Sequence, residues 1–121
     1  MHVLVCDDDR LLRELIRYQM EKVGHTVSEA IDGAEALAKW TEEAPDVILI
    51  DLMMPRVEGN EVIRKIREEA GRRTCVIVVS AKAREEDAIR AFGNGADGYL
   101  VKPFSPERLA DEVSAIAQGA F

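Results

Sequence analysis

Residues 47–55 read VILIDLMMP: four apolar residues end abruptly on Asp51, and Pro55 stands four positions later. A continuous run of β-branched and aliphatic residues is typical of a strand that is buried on both faces of a parallel sheet. A carboxylate at the end of such a strand is costly to bury unless it has partners. Residues 47–50 therefore predict a central strand, and Asp51 is the first candidate for a functional side chain.

Three other apolar runs have the same character, and a fifth run is weaker. The strong runs are residues 3–6, 75–79 and 99–101. Residues 25–30, HTVSEA, alternate between polar and apolar side chains. That alternation favours a strand at the edge of the sheet.

Helix-length segments with apolar residues three or four positions apart separate the predicted strands. Their apolar markers are Leu12, Leu15, Ile16 and Met20; Leu37 and Trp40; Val62, Ile63 and Ile66; Ile89 and Phe92; and Leu109, Val113 and Ile116. Strands that alternate with helices through right-handed crossovers predict an α/β fold. The sequence thus predicts a single doubly wound, five-stranded parallel sheet between helices, with one domain over residues 1–121.

Residues typical of helix ends agree with these boundaries. Asp9 is expected to cap the first helix, and Asp32 with Glu35 forms a capping-box pattern before the second. Ser105 followed by Pro106 predicts the start of the last helix. Helix ends are predicted at Gly24, at Gly71 and at either Gly93 or Gly95.

Composition excludes several classes of protein. The chain has 121 residues, 47% of them apolar and 32% charged, with a net charge of −7, so a basic nucleic-acid surface is not expected. An acidic balance suits a cation site or a basic partner. Cys6 and Cys75 lie in apolar runs and are predicted to be buried free thiols. With neither a signal peptide nor a membrane-length apolar run, the expected location is the cytoplasm.

Polar residues directly follow four of the predicted strands. They are Asp7, Asp8 and Asp9 after the first strand, Asp51 after the third, Ser80 after the fourth and Lys102 after the fifth. The carboxyl ends of parallel strands share one edge of a sheet, where ligands of this fold class bind. Clustered carboxylates favour Mg²⁺, and a carboxylate beside a metal and a lysine can form an aspartyl phosphate.

These residues resemble the receiver domain of bacterial response regulators. The matching motifs are Asp7-Asp8, Asp51 in DLMMP, Ser80 in VVSAKA and Lys102 in GYLVKPF. The motifs occur in the expected order along the whole chain. The resemblance implies the flavodoxin-like (βα)5 architecture with strand order 2-1-3-4-5.

The resemblance also implies a phosphoacceptor and a metal site. Asp51 would accept a phosphoryl group from a sensor histidine kinase or a histidine phosphotransfer protein. Asp7 and Asp8, together with Asp51, would organise Mg²⁺, and Met53 would offer its backbone carbonyl. The domain would assist its own phosphorylation and dephosphorylation without being a conventional enzyme.

Three further residues take roles by the same resemblance. Ser80 would hydrogen-bond the phosphoryl group, and Lys102 would pair with it. Tyr99 would swing inward with Ser80, and this switch would change the binding of a downstream effector or output domain. The Lys102–Pro103 peptide bond is expected to be cis. Ser80 could also cap the fourth helix, which is compatible with phosphate binding.

Two rival functions are compatible with the same or a related α/β fold. A binding module could dock partners without phosphorylation, although all five site positions are retained. A phosphohydrolase with an aspartyl phosphate would carry a second carboxylate two positions after the nucleophile, where this chain has Met53. By the resemblance, Met53 and Lys82 would tune the access of hydrolytic water, and we expect Met53 to slow hydrolysis.

The end of the chain and its signalling face carry expectations of their own. The chain ends at Phe121, soon after the fifth helix, so no output domain is expected in it. It would be either a stand-alone receiver or a fragment of a longer regulator. The face formed by the fourth helix, last strand and fifth helix mixes charges, so a constitutive dimer is not predicted. A weak, phosphorylation-dependent contact there stays open. The charged residues are Arg84, Glu85, Glu86, Arg90 and Glu107.

Overall fold

A computed structural model describes residues 1–69 and 73–120 and contains five strands alternating with five helices. The strands are β1 (His2–Cys6), β2 (Thr26–Ala30), β3 (Val47–Ile50), β4 (Cys75–Ser80) and β5 (Gly98–Val101). The helices are α1 (Arg10–Lys22), α2 (Gly33–Glu43), α3 (Gly59–Glu68), α4 (Glu85–Asn94) and α5 (Pro106–Ala120). Gly71, which we predicted to end α3, lies outside the described residues.

The sheet has the predicted architecture. Every pair of neighbouring strands is parallel, and the order is β2-β1-β3-β4-β5. β2 is an edge strand, as the alternation in residues 25–30 predicted. The chain reverses its direction across the sheet between β1 and β3, whose last residues Cys6 and Ile50 are paired. A crevice therefore opens beyond the ends of these two strands.

The hydrophobic core consists of two layers, one on each side of the sheet. In β1, Val3 and Val5 face α1 and α5, whereas Leu4 and Cys6 face α2, α3 and α4. This alternation follows from the two-residue period of a strand. Cys6 and Cys75 are buried free thiols, as predicted.

The apolar face of α4 differs from the prediction. Ile89 is 63% exposed and Phe92 is 47% exposed, so neither belongs to the core. Ala91 is the buried residue of this helix. Because α4 has apolar residues on two sides, their spacing alone could not identify the side that packs against the sheet.

The predicted helix ends are largely confirmed. Asp9 caps α1 by accepting the amides of Leu11 and Leu12, and Asp32 caps α2 by accepting the Glu35 amide at 2.8 Å. Glu35 reaches back to the amide of Ile31, one residue before the cap. α5 begins at Pro106. Gly24 and Gly95 follow their helices with positive φ angles, and Gly93 lies within α4.

Among the described residues, no helix has both the length and the apolar character needed to cross a membrane.

Candidate active site at the carboxyl edge of the sheet

The backbone of the site continues the hydrogen-bond ladder of the sheet. The Asp51 amide donates to Cys6 O at 3.0 Å, and the Asp7 amide donates to the carbonyl of Ala30 at 3.1 Å. Across the crevice, the Lys102 amide donates to Ser80 O at 2.8 Å. The backbone that carries the side chains after β1, β3 and β5 is therefore fixed by the sheet itself.

Three carboxylates converge beyond the ends of β1 and β3. Asp7, Asp8 and Asp51 each offer an oxygen atom, and these atoms lie within 4.8 Å of one another. Asp7 is 3% exposed and Asp51 is 6% exposed, whereas Asp8 is open to solvent. Like charges so close together repel one another, most strongly between the two buried carboxylates, and this repulsion favours the binding of a cation.

Lys102 lies between the two buried carboxylates. Its Nζ atom is 2.8 Å from Asp7 Oδ2 and 2.8 Å from Asp51 Oδ2. The remaining oxygens accept backbone amides: Asp9 donates to Asp7 Oδ1 at 2.9 Å, and Met53 donates to Asp51 Oδ1 at 3.0 Å. Both carboxylates are thus held at each oxygen. The peptide bond that follows Lys102 is cis, as the resemblance implied.

Burial and pairing shift the pKa values of the site. Burial raises the pKa of Asp7, and hydrogen bonds from Lys102 and the Asp9 amide offset only part of the effect. Partial burial alone would lower the pKa of Lys102, but hydrogen bonds to Asp51 and Asp7 outweigh it and leave that pKa above its usual value. The lysine therefore stays charged at neutral pH.

Ser80 and Tyr99 meet near the loop that follows β4. Ser80 is fully buried, and its Oγ accepts the Lys82 amide at 3.2 Å. The Tyr99 hydroxyl donates to the Lys82 carbonyl at 2.7 Å, and its ring packs on the core. Burial, and to a smaller extent the negative charge of Asp87, raise the pKa of Tyr99 above its usual value. Capping of α4 by Ser80 was a wrong alternative, because the helix begins at Glu85 with Arg84 as its cap.

Sequence reasoning missed Arg13. This arginine is 9% exposed, and its Nη1 atom donates to the Asp7 carbonyl at 2.8 Å, while its Nε atom donates to Glu29 at 3.0 Å. It therefore supports the backbone of the site from α1. A signal existed, since positions 13, 16 and 20 form one helical stripe, and the other two, Ile16 and Met20, are buried.

The donor set limits the chemistry of this edge. An all-oxygen cluster suits a hard cation such as Mg²⁺ better than a transition metal. A carboxylate between a cation site and an ammonium group can attack phosphorus, because both charges offset the negative charge that gathers there.

Comparison with known proteins agrees with this geometry. Residues 3–114 match the family model described as the response regulator receiver domain. The chain belongs to that family. Receiver domains are the regulated modules of two-component response regulators. The observed strand order, β2-β1-β3-β4-β5, is the one that the resemblance to this family implied.

Curated relatives and solved structures are similar over nearly the whole receiver. The transcriptional regulatory protein ResD of Bacillus subtilis is 42% identical over 118 residues, which cover 98% of this chain and 48% of ResD. The chain spans about half the length of the curated relatives it matches. The Francisella response regulator 1452 receiver domain has a TM-score of 0.90 at 35% identity, covering 99% of this chain and 98% of that one. Chemotaxis response regulator CheY4 of Vibrio cholerae has a TM-score of 0.89 at 32% identity, and the match covers 95% of this chain and 97% of that one.

Proposed function

We propose that this receiver is a signalling switch that accepts a phosphoryl group on Asp51. The observation that carries the proposal is the position of Lys102, whose Nζ atom is 2.8 Å from both Asp7 and Asp51. This lysine holds a buried nucleophile beside a second carboxylate. The phosphodonor would be a sensor histidine kinase or a histidine phosphotransfer protein, and the output partner a downstream effector or output domain.

The residues fit a magnesium ion. The carboxylates of Asp7, Asp8 and Asp51 would hold it together with the backbone carbonyl of Met53. When bound, Mg²⁺ would neutralise charge on the phosphoryl oxygens during transfer. The close approach of three carboxylate oxygens, within 4.8 Å of one another, supports this assignment.

The chemistry is one displacement at phosphorus. An Asp51 oxygen attacks, the new O–P bond forms, and the N–P bond of the phosphohistidine breaks. The electron pair of that bond leaves with the imidazole nitrogen. Lys102 is already paired with Asp51 and would pair with the phosphoryl group after transfer. Positioning and charge compensation dominate such a step, so no separate general base is required.

Ser80 and Tyr99 would read the phosphorylated state. Ser80 would donate its hydroxyl to the phosphoryl group, and this bond would draw in the loop between β4 and α4. Tyr99 is tied to that loop through the Lys82 carbonyl, so a shift of the loop changes the exposed surface of β5. The same site would slowly hydrolyse the aspartyl phosphate and reset the switch.

Intact mass after incubation with Mg²⁺ and acetyl phosphate tests the proposal. We expect one labile phosphoryl group in the wild type, none in Asp51→Asn, and unchanged labelling in Asp111→Asn, which alters an exposed aspartate on α5. Rapid hydrolysis is separated from non-reaction by adding beryllofluoride, a stable phosphoryl mimic. A wild type that neither gains mass nor binds beryllofluoride contradicts the switch and favours a binding module.

A further inference from the structure

Arg56 adopts an unfavourable backbone conformation beside the reactive carboxylate. It lies in the acceptor loop, which we define as residues 51–58 between β3 and α3, and its φ angle is 72°. Side chains other than glycine rarely adopt this left-handed region, because the β-carbon crowds the backbone. Ala44, with a φ of 49°, is different, because it caps the end of α2, where such angles are usual.

Stability alone gives no reason for an arginine at this position. Its Nη1 atom is 3.3 Å from Asp32 Oδ2, and the arginine side chain is 71% exposed. Exposed ion pairs contribute little to folding. Glycine would adopt the same backbone angle without strain. A residue other than glycine that adopts a positive φ angle without a compensating gain in stability indicates a functional constraint.

The partner of Arg56 is an unusually fixed carboxylate. Asp32 is 5% exposed, and its Oδ1 atom accepts the Glu35 amide at 2.8 Å as the N-cap of α2. Its second oxygen faces Arg56. The ion pair therefore joins the acceptor loop to the N-terminal end of α2.

The acceptor loop packs closely on α2 at this point. The Gly33 amide is 3.5 Å from the Pro55 carbonyl, and a β-carbon on Gly33 would lie 1.8 Å from the carbonyl oxygen of Val57. The opposite end of the loop is held by α3, because a β-carbon on Gly59 would lie 2.5 Å from the carbonyl oxygen of Asp51. Between these contacts lies Met53, whose amide orients Asp51.

We infer that Arg56 is a positioning residue for phosphoryl transfer to Asp51. Its ion pair with Asp32 holds the acceptor loop on α2 so that the Met53 amide stays directed at Asp51 Oδ1. Arg56 does not contact the reacting atoms. This inference rests on the proposed function, because it concerns the rate of the same reaction.

Two measurements on the same variants test the inference. The first is amide hydrogen exchange at Met53 in protein without Mg²⁺ or phosphodonor. The second is the rate of phosphorylation as a function of acetyl phosphate concentration. We expect Arg56→Gly and Arg56→Gln to speed exchange and to lower the maximal rate about three- to tenfold. The half-saturating acetyl phosphate concentration should not change, and Arg56→Gly should not lower the unfolding temperature.

Reciprocal and control variants separate positioning from a structural role. Asp32→Asn keeps a capping side chain but removes its charge, so it should slow the reaction equally, and combining it with Arg56→Gln should add nothing. Arg56→Lys should recover part of the rate. Arg64→Gln removes another paired arginine and Ala44→Gly relieves another left-handed residue, and neither should change the rate.

The outcomes distinguish failure of the positioning role from failure of the proposed function. Faster Met53 exchange with a lower maximal rate supports the positioning role. Unchanged exchange overturns it, and so does faster exchange with an unchanged rate. A wild type that takes no phosphoryl group removes the proposed function and this role together, and that result is visible before any variant is made.

Discussion

At the scale of single residues, Asp51 is restrained on both of its oxygens, by Lys102 on one and by the Met53 amide on the other. Such restraint limits the carboxylate to few orientations and lowers the entropy that must be lost before attack on phosphorus. In the proposed reaction the same residues would lie next to the acyl phosphate after transfer, so they would also affect its lifetime.

Substitution of Met53 is predicted to shorten the life of the phosphorylated receiver. Met53 is 56% exposed and lies two positions after Asp51 in the acceptor loop, where an apolar side chain would hinder an incoming water molecule. Met53→Asn should speed loss of the phosphoryl group several-fold, because an amide can hydrogen-bond that water. The decay of phosphorylated protein after removal of the donor measures this rate. Met53→Leu is the matched control and should decay as the wild type does, whereas equal or slower decay in Met53→Asn would contradict the prediction.

Asp7 is predicted to destabilise the metal-free protein at neutral pH and to stabilise it when Mg²⁺ is bound. Because burial raises its pKa, this carboxyl group contributes stability below its unfolded pKa and loses that contribution as the pH rises through the folded value. At neutral pH without Mg²⁺, Asp7→Asn should therefore raise the unfolding temperature by a few degrees. Added Mg²⁺ should stabilise the wild type by RT ln(1 + [Mg²⁺]/Kd) and the variant much less. Thermal unfolding with and without Mg²⁺ tests both statements, and an equal metal effect in the two proteins would refute the assigned ligand.

At the scale of helices and strands, contacts between elements support the site from several directions. Arg13 joins α1 to β2 and to the Asp7 carbonyl, and Gly33 lets the acceptor loop approach α2. These contacts lie outside the reactive cluster, yet they fix the backbone that carries it.

The close approach at Gly33 is predicted to tolerate no side chain. Gly33→Ala should lower the free energy of unfolding by about 3 kcal/mol, because a β-carbon would collide with the backbone of Val57. Gly93 is the matched control: it is exposed within α4, and a β-carbon there would meet no atom within 4 Å outside its own helix. Gly93→Ala should stabilise the protein by about 0.5–1 kcal/mol. Urea unfolding measures both changes, and similar values for the two variants would contradict the predicted clash.

The pairing between α1 and β2 predicts a pH dependence. Burial alone would raise the pKa of Glu29, but hydrogen bonds from Arg17 and Arg13 outweigh it and hold that pKa below its usual value. A lowered pKa contributes stability above the unfolded value, about 4.3, and this contribution is lost as the pH falls through the folded value. Glu29→Gln should therefore lower the free energy of unfolding by about 1–2 kcal/mol at neutral pH.

Denaturation across a range of pH tests this prediction. The difference in the free energy of unfolding between the wild type and Glu29→Gln should become smaller as the pH falls below about 4. Glu14→Gln, which breaks an exposed pair with Arg10 on α1, should cost much less at any pH. A deficit that stays constant at low pH would show that Glu29 acts through packing and not through charge.

Much of this arrangement was predictable from the sequence, for a physical reason. Uninterrupted aliphatic runs identify buried parallel strands, and parallel strands bring Asp7, Asp51 and Lys102 to one edge. The pair of Arg56 with Asp32 was not predictable, because its two residues are 24 positions apart and no periodic pattern relates them. The side of α4 that packs against the sheet was not predictable either, because the buried residue there is the small Ala91 and the larger apolar residues lie on the exposed side.

At the scale of the whole molecule, the domain is acidic, and the proposed reaction brings an anionic donor to it. Its net charge is −7, and the phosphoryl donor also carries negative charge. Long-range repulsion therefore opposes the encounter, although Lys102 and a bound cation favour the final contact. Two apolar residues of α4, Ile89 and Phe92, are exposed, on a helix whose mixed charges led us to expect no constitutive dimer. These exposed apolar side chains are compatible with the weak, phosphorylation-dependent partner contact that the sequence left open.

Ionic strength is predicted to speed phosphorylation by acetyl phosphate. Raising the salt concentration from about 0.01 M to about 0.15 M shortens the Debye length from about 30 Å to about 8 Å and screens the repulsion between the acidic domain and the anionic donor. The second-order rate constant should rise several-fold, at constant free Mg²⁺. Phosphoramidate, which carries less net negative charge, is the matched donor and should respond less. A rate that falls with salt would indicate that local attraction governs the encounter.

The ladder hydrogen bonds of Asp7, Asp51 and Lys102 have a consequence for how this fold can diversify. Each of these residues is the last rung of the sheet and not the first residue of a free loop. Insertions, deletions and substitutions in connections that do not contact the reactive groups, unlike the acceptor loop, can therefore remodel partner choice without displacing those groups. Such loops could change during evolution and give new partner specificities, while the reactive residues kept their positions at the end of the sheet.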